Sequence, residues 1–123
     1  MKYRKVKLDE IEVPNGIKSQ LMEESADIFL VSRDDDTPVL IFGVYTASVI
    51  AMWRLVWMIT YPAFRPIDFR GAAKLFAQVR KYTPYLRAIV RNNQPHAIRT
   101  VQHLGGVRVS DWNDEEGLFE WRP

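Results

Sequence analysis

Few side chains in this sequence could do acid–base, nucleophilic or metal chemistry. The chain has 123 residues, no cysteine and two histidines. That removes a disulfide framework, a cysteine-based zinc site and a thiol nucleophile, and it allows a reducing compartment without requiring one. His96 and His103 stand seven apart with no third ligand evident, so no metal site is expected. His96, near a helix start, reads as a surface imidazole rather than a base. Asp34, Asp35 and Asp36 adjoin, but a calcium loop spaces its ligands at alternating positions around a glycine. Followed by Thr37 and Pro38, they read as a solvated hairpin turn. Trp53 and Trp57 could stack on an adenine ring. At i and i+4 of a strand they share one face, and core packing is the more ordinary explanation.

Seventeen basic residues against fifteen acidic ones leave a net charge of +2, a weak basic bias that makes nucleic acid an unexpected partner. Arg80, Lys81, Arg87, Arg91, Arg99 and Arg108 spread over two helices and two strands, so exposed charge is the default reading. The 47% hydrophobic and 26% charged composition is that of a globular protein. No internal repeat is visible, and the length suits a single domain over 1–123. MKYRKVKLDE has basic residues but no apolar run after them, so it does not read as a signal peptide. The apolar stretch around 38–61 is interrupted by Thr46, Ser48 and Arg54. It reads as paired core strands rather than a membrane span. A soluble protein made without export is expected.

The elements that must position these residues follow from periodicity. Alternation over 2–8 predicts a half-exposed strand whose lysines discourage edge pairing. Pro14 and Asn15-Gly16 break the chain, and 17–25 predicts a short helix. Strands are expected at 27–33, 39–46 and 52–60, with Gly43 marking a bulge or a close backbone approach. The loop 61–66 carries Pro62 and Pro66. A helix over 67–82 places Phe69, Ala72, Ala73, Phe76, Val79 and Arg80 at helical spacing, and Thr83-Pro84 ends it. A strand over 85–91 and the turn Asn92-Asn93-Gln94-Pro95 lead to a helix over 96–104 with Ile98, Val101 and Leu104 inward. Gly105-Gly106 caps that helix. Strands over 107–111 and 117–122 close the chain around a turn at 113–117. The order β-α-β-β-β-α-β-α-β-β predicts an α+β fold with a mixed sheet of about seven strands.

This order resembles the GNAT acyltransferase fold, and one segment sharpens the likeness. The pattern of strand, Asn, short gap, Ala-Ile and a helix ending in Gly-Phe has its counterpart here in Val90-Arg91-Asn92, then Ala97-Ile98, then Leu104-Gly105-Gly106. Within that fold the chain resembles a branch found among the internal virion or morphogenesis proteins of short-tailed coliphages. The shared features are the strand Trp57-Met58-Ile59-Thr60, a basic helix, the strand before Asn92 and the Ile98-Arg99 helix. The likeness covers roughly 53–121, and the N-terminal third matches by element order alone.

The resemblance implies a cleft for acetyl-CoA where two neighbouring strands splay, with the pyrophosphate on amides at the start of the following helix. The family signature there is Gln/Arg-x-x-Gly-x-Gly/Ala. In Tyr61–Ala72 only Arg70-Gly71-Ala72 matches it, two prolines lack N–H groups, and Asp68 at the expected N-cap sets a negative charge beside the seat. Ile59, Arg65, Arg70 and Gly71 are therefore expected as a vestigial cofactor site. The family base, often a Glu on the central strand, has no counterpart in Met52–Thr60. The family's helical Tyr aligns with Val101, which cannot donate a proton. His103, two positions on, points in a different helical direction. No catalytic residue is assigned.

The expectation is a phage-encoded GNAT-fold protein, virion-associated (internal, portal-proximal or tail), with its transfer chemistry degraded and no cofactor. It would be found in the virion, and in the host cytoplasm before assembly. Its partners would be other virion proteins or a host protein, and a homo-oligomer is allowed. Trp112, Phe119 and Trp121 are expected interface anchors. One alternative is an acetyl-CoA-dependent N-acetyltransferase modifying a host protein or small amine, and another is a non-catalytic inhibitor of a host protein.

Overall fold

Apolar alternation builds the sheet, and its parity decides which core each side chain enters. The computed structural model describes residues 1–13, 20–25, 27–46 and 53–123. The expected turn at Pro14 and Asn15-Gly16, the helical residues 17–19 and the strand start at Met52 lie outside these.

The strands are β1 (Lys2–Lys5), β2 (Asp27–Ser32), β3 (Pro38–Tyr45), β4 (Arg54–Thr60), β5 (Leu86–Arg91), β6 (Val107–Asp111) and β7 (Glu116–Trp121). The helices are α1 (Gln20–Glu23), α2 (Asp68–Arg80) and α3 (Pro95–His103), with a 3₁₀ turn at Leu8–Glu10. Among the described residues the strands form one mixed seven-stranded sheet in the order β1-β2-β3-β4-β5-β7-β6. The expected fold class and element order hold. The first strand is shorter than expected, because the chain turns into the 3₁₀ segment after Val6, whose N–H still bonds to Ile28 O at 2.9 Å.

The larger core lies under α2 and α3. Phe42 and Val44 of β3, Leu86, Ala88 and Val90 of β5, and Phe119 and Trp121 of β7 pack there against Ala72, Phe76 and Val79 of α2 and Val101 of α3. Three ring pairs run through it: Phe29–Phe42 at 5.1 Å, Phe42–Phe76 at 5.8 Å and Phe76–Trp121 at 5.3 Å. Phe29 is only partly buried, whereas a fully buried phenylalanine such as Phe42 or Phe76 contributes about 1.5–3 kcal/mol of burial free energy. The opposite face carries a smaller cluster of Val6, Ile28, Leu30 and Ile41, flanked by Trp57 and Ile59. The expected core role of Trp57 holds, and its indole N–H donates to Ser25 Oγ at 2.7 Å. Gly43 is where this indole lies on the sheet: a Cβ there would clash with the ring. The close approach is thus by a side chain, and the register shift of this sheet half falls at Val31/Ser32 instead.

Phe119 and Trp121 are 0% and 1% exposed, which corrects their expected role as surface anchors. Alternation does place them together on one face of β7, but that face is the one under the helices. Trp112, beyond the end of β6, is 56% exposed. Glu120 is also buried, between Arg87 Nε at 3.0 Å and Arg122 Nη2 at 2.8 Å. Among the described residues no helix is long and apolar enough to cross a membrane.

Candidate functional site

β4 and β5 are the adjacent parallel strands, and they pair only over Arg54↔Leu86 and Leu55↔Arg87. β4 nevertheless stays paired to β3 up to Leu40↔Thr60. Its edge toward β5 therefore leaves the ladder from Val56 onward, and the two strands part toward the starts of α2 and α3. A right-handed strand–helix–strand crossover through α2 requires a loop at the wide end of this cleft, and that loop is Tyr61–Ile67.

The loop is organised around one carboxylate. Asp68 is 4% exposed. Its Oδ1 accepts Arg33 Nε at 3.1 Å, and its Oδ2 accepts Arg33 Nη2 and the Arg65 backbone N–H, each at 2.8 Å. Arg33 Nη2 also donates to Ala63 O at 2.6 Å, tying the loop carbonyl to the same guanidinium. A two-pronged, charge-assisted contact of this kind holds a planar pair rigidly. The Arg33 bond holds the Asp68 carboxyl below the usual carboxylate range, against the opposing effect of burial, and the Arg65 N–H adds to it. The same bond raises the Arg33 guanidinium above its ordinary value.

Asp68 is the first residue of α2, and the N-cap is Ile67, which makes no side-chain capping bond. The carboxylate therefore does not cap the helix as expected; it reaches back to the loop and across to Arg33. Three further donors of the loop and helix start are bonded within the segment. Phe64 N–H bonds to Tyr61 O at 2.9 Å, Asp68 N–H to Arg65 O at 2.9 Å and Phe69 N–H to Pro66 O at 3.2 Å. Gly71, expected to let an anion approach, is covered by the Met1 side chain, whose sulfur would stand 2.8 Å from a Cβ there.

The chain was compared with family models and with curated proteins, and neither comparison gives a match. Solved structures do match. A point mutant of spermidine N-acetyltransferase SpeG from Vibrio cholerae aligns with a TM-score of 0.69 at 10% identity, over 99% of this chain and 95% of that one. N-acetyltransferase PseH from Campylobacter jejuni, in complex with acetyl coenzyme A, aligns with a TM-score of 0.61 at 12% identity, over 78% and 67%. The fold is that of the GNAT acetyltransferases. A dodecameric spermidine N-acetyltransferase from Vibrio cholerae also has it, with a TM-score of 0.57 at 13% identity over 77% of this chain. The chain spans less than two thirds of the length of that protein and of some SpeG structures it matches.

Set on the GNAT fold, the parted β4 and β5 are the cleft that the resemblance implied for acetyl-CoA, and the start of α2 is its pyrophosphate end. The residues there do not fit a diphosphate. The carboxylate of Asp68 already takes the Arg65 N–H and both prongs of Arg33. A second anion at that point would meet like charge and spent donors. Of the residues expected at this seat, Arg65 and Arg70 are exposed, Gly71 is covered, and Ile59 packs beside the smaller core on the face of Trp57. The structure does not gather them into one pocket. Val101 is 6% exposed in the larger core, so the position of the family tyrosine holds packing. His103 is exposed, with its ring 5.4 Å from Phe69. His96 is exposed too, and its Nδ1 lies 3.1 Å from Arg99 Nη2.

Trp53 takes no part in the cleft. Its ring meets Tyr85 edge-on at 5.2 Å and lies 4.3 Å from the Arg87 guanidinium. The basic residues are dispersed: Arg87 is held by Glu120, Arg108 by Asn92 and Asp111, and Arg80 Nη2 donates to Arg122 O. Among the described residues no group of three His, Asp or Glu side chains could hold a metal ion. A separate cavity of about 320 Å³ lies on the other half of the sheet, lined by Val6, Lys7, Leu8, Asp9, Glu23, Ser25 and Ile28.

The residue that sequence reasoning missed is Arg33. The signal for it was in α2: Asp68 stands on the stripe 68, 72, 76, 79 that the helix buries. A carboxylate on a buried stripe requires a cationic partner.

Proposed function

We propose that this chain is a GNAT-fold protein that acts by protein–protein contact, as a component of a phage particle, and not by transfer from acetyl-CoA. The observation that carries the loss of transfer is the Arg33–Asp68 pair, which sets the chain's own carboxylate at the helix start where the resemblance implies a coenzyme diphosphate. The burial of Val101 where the fold would present a proton donor points the same way. The particle role rests on the resemblance read from the sequence over 53–121 to the internal virion proteins of short-tailed phages. Mass spectrometry of purified particles tests it: peptides of this chain in stoichiometric amount are expected, and their absence contradicts the reading.

A second reading, acetyl-CoA-dependent N-acetylation of a host protein or small amine, has its own support. The β4–β5 ladder ends after Leu55↔Arg87, and the similar solved structures are N-acetyltransferases. Identities of 10% and 12% carry the fold and leave the activity to the site. Calorimetric titration with acetyl-CoA separates the two readings: saturable heat favours the enzyme, and none favours the contact protein.

A further inference from the structure

The net charge of +2 averages over an uneven chain. Between Thr37 and Ser110 stand ten basic residues and one acidic residue, Asp68, whose carboxylate is buried and bound to Arg33. Every other acid lies before or after that stretch. Arg80, Arg87 and Arg108 are bonded within the chain. The cations on the outside of α2 and α3 meet no carboxylate. Arg70, Lys74 and Lys81 are exposed at i, i+4 and i+11, a single stripe opposite the one that α2 buries. His96, Arg99 and His103 are exposed at i, i+3 and i+7 of α3. Both helices pack over the larger core on the same face of the sheet, and the Phe69–His103 ring contact at 5.4 Å joins them. We propose that this helical face binds the phosphate backbone of nucleic acid.

Arg65, in the loop before α2, and Arg91, at the end of β5, add exposed cations beside the two helix starts. Among the described residues none of these side chains pairs with a carboxylate, and Arg99 meets only His96 Nδ1. The acidic turn after β2 is engaged elsewhere, Asp34 by the chain's amino terminus and Asp36 by Lys2. A face of one sign with nothing to neutralise it attracts a polyanion. From Arg70 to Lys81 the stripe runs about 16 Å at about 1.5 Å per residue. One strand of a duplex presents about five phosphates over that length. The stripe reaches the far end of α2, so it is longer than a seat for one diphosphate. Gln78 and Gln102 are exposed on the same two helices and can donate to phosphate and sugar oxygens. A membrane surface would call for apolar residues along the stripe. The exposed ones here, Ile67 and Tyr82, flank α2 at its two ends. This inference is independent of whether the fold has kept its transfer chemistry.

Fluorescence anisotropy of the full chain tests it, with a labelled DNA duplex of about 20 base pairs and a labelled single strand of equal length, which share the backbone chemistry. The wild type is expected to bind at least one of them with micromolar affinity at low salt. For the duplex, contacts from Arg65, Arg70, Lys74, Lys81, Arg91 and Arg99 predict a slope of log K against log salt of about −5, at about −0.9 per contact. Lys74→Gln with Lys81→Gln and Arg99→Gln is expected to make that slope shallower by about 3 and to weaken binding more than about tenfold. All three side chains are exposed, so an unchanged circular dichroism spectrum is expected. Arg4→Gln, on the exposed β1, is expected to leave the affinity within about twofold of wild type. No binding of either probe at low salt overturns the proposal, as does a triple variant that binds like the wild type. Equal binding to poly-glutamate also overturns it and gives the face to an acidic protein. Binding to phosphatidylserine vesicles but to neither nucleic acid overturns it in favour of a membrane.

Discussion

α2 and α3 each follow a central strand and each begins at the wide end of the β4–β5 cleft, yet they are pinned at opposite ends. α2 is fixed at its start, where Asp68 binds Arg33 and the Arg65 N–H. α3 is open at its start. Residues 92–96 are exposed and its N-cap, Gln94, makes no side-chain capping bond. Its fixed point is the other end. Gly105 takes φ +96°, Gly106 N–H reaches back to Val101 O at 2.9 Å, and the buried Trp121 indole N–H donates to Leu104 O at 2.9 Å. That is a left-handed helix stop with a core side chain bonded to it. At the start of α2 the chain's own carboxylate takes the Arg65 N–H and the Arg33 guanidinium, whereas at the start of α3 the N-cap side chain takes no donor.

Substitutions that break this contrast differ in size. Trp121→Ala removes the anchor at the end of α3 and leaves a large void, so a loss of about 3–5 kcal/mol in chemical denaturation is expected. Asp68→Ala removes the pin of α2 and leaves Arg33 without its carboxylate, with an expected loss of about 1.5–3 kcal/mol, the range for bonds to charged groups. The pH dependence sharpens it. The carboxyl of Asp68 sits below its ordinary value of 3.8 in the folded chain. The unfolded chain therefore takes up the proton first, and the pair's contribution is full above about pH 5 and fades as pH falls through the folded value. Asp68→Asn is expected to flatten the acid limb of a stability-versus-pH curve. The limb does not vanish, because Asp34 and Asp35 are also held low, by the chain's amino terminus and by Thr37. Gly105→Ala forces a side chain into a left-handed conformation and is expected to cost about 1 kcal/mol. Gln94→Ala, at the open start of α3, is expected to stay within about 0.5 kcal/mol of wild type. A Gln94 effect matching that of Asp68 would erase the contrast.

The sheet was legible because its strands alternate or run apolar between turn residues, and the glycine pair at 105–106 marked the end of α3. The sense of alternation on β7 was not: Phe119 and Trp121 share a face, but a sequence does not say whether that face meets helices or solvent. The same ambiguity hid the burial of Glu120, whose partner Arg87 is 33 residues away. At the site, the poverty of the loop in amide donors could be read from Pro62 and Pro66, and the negative charge beside it from Asp68. The partner of Asp68 could not be named, because Arg33 sits 35 residues upstream and the pairings of β2 with β3 and of β3 with β4 bring it to the α2 start.

If the chain's own Asp68 and Arg33 stand in for a coenzyme diphosphate at the start of α2, the full chain does not bind acetyl-CoA, and isothermal titration reads this out. No saturable heat at millimolar ligand is expected. Stoichiometric binding, with the diphosphate located at the start of α2 and the Arg33–Asp68 pair displaced, would contradict it.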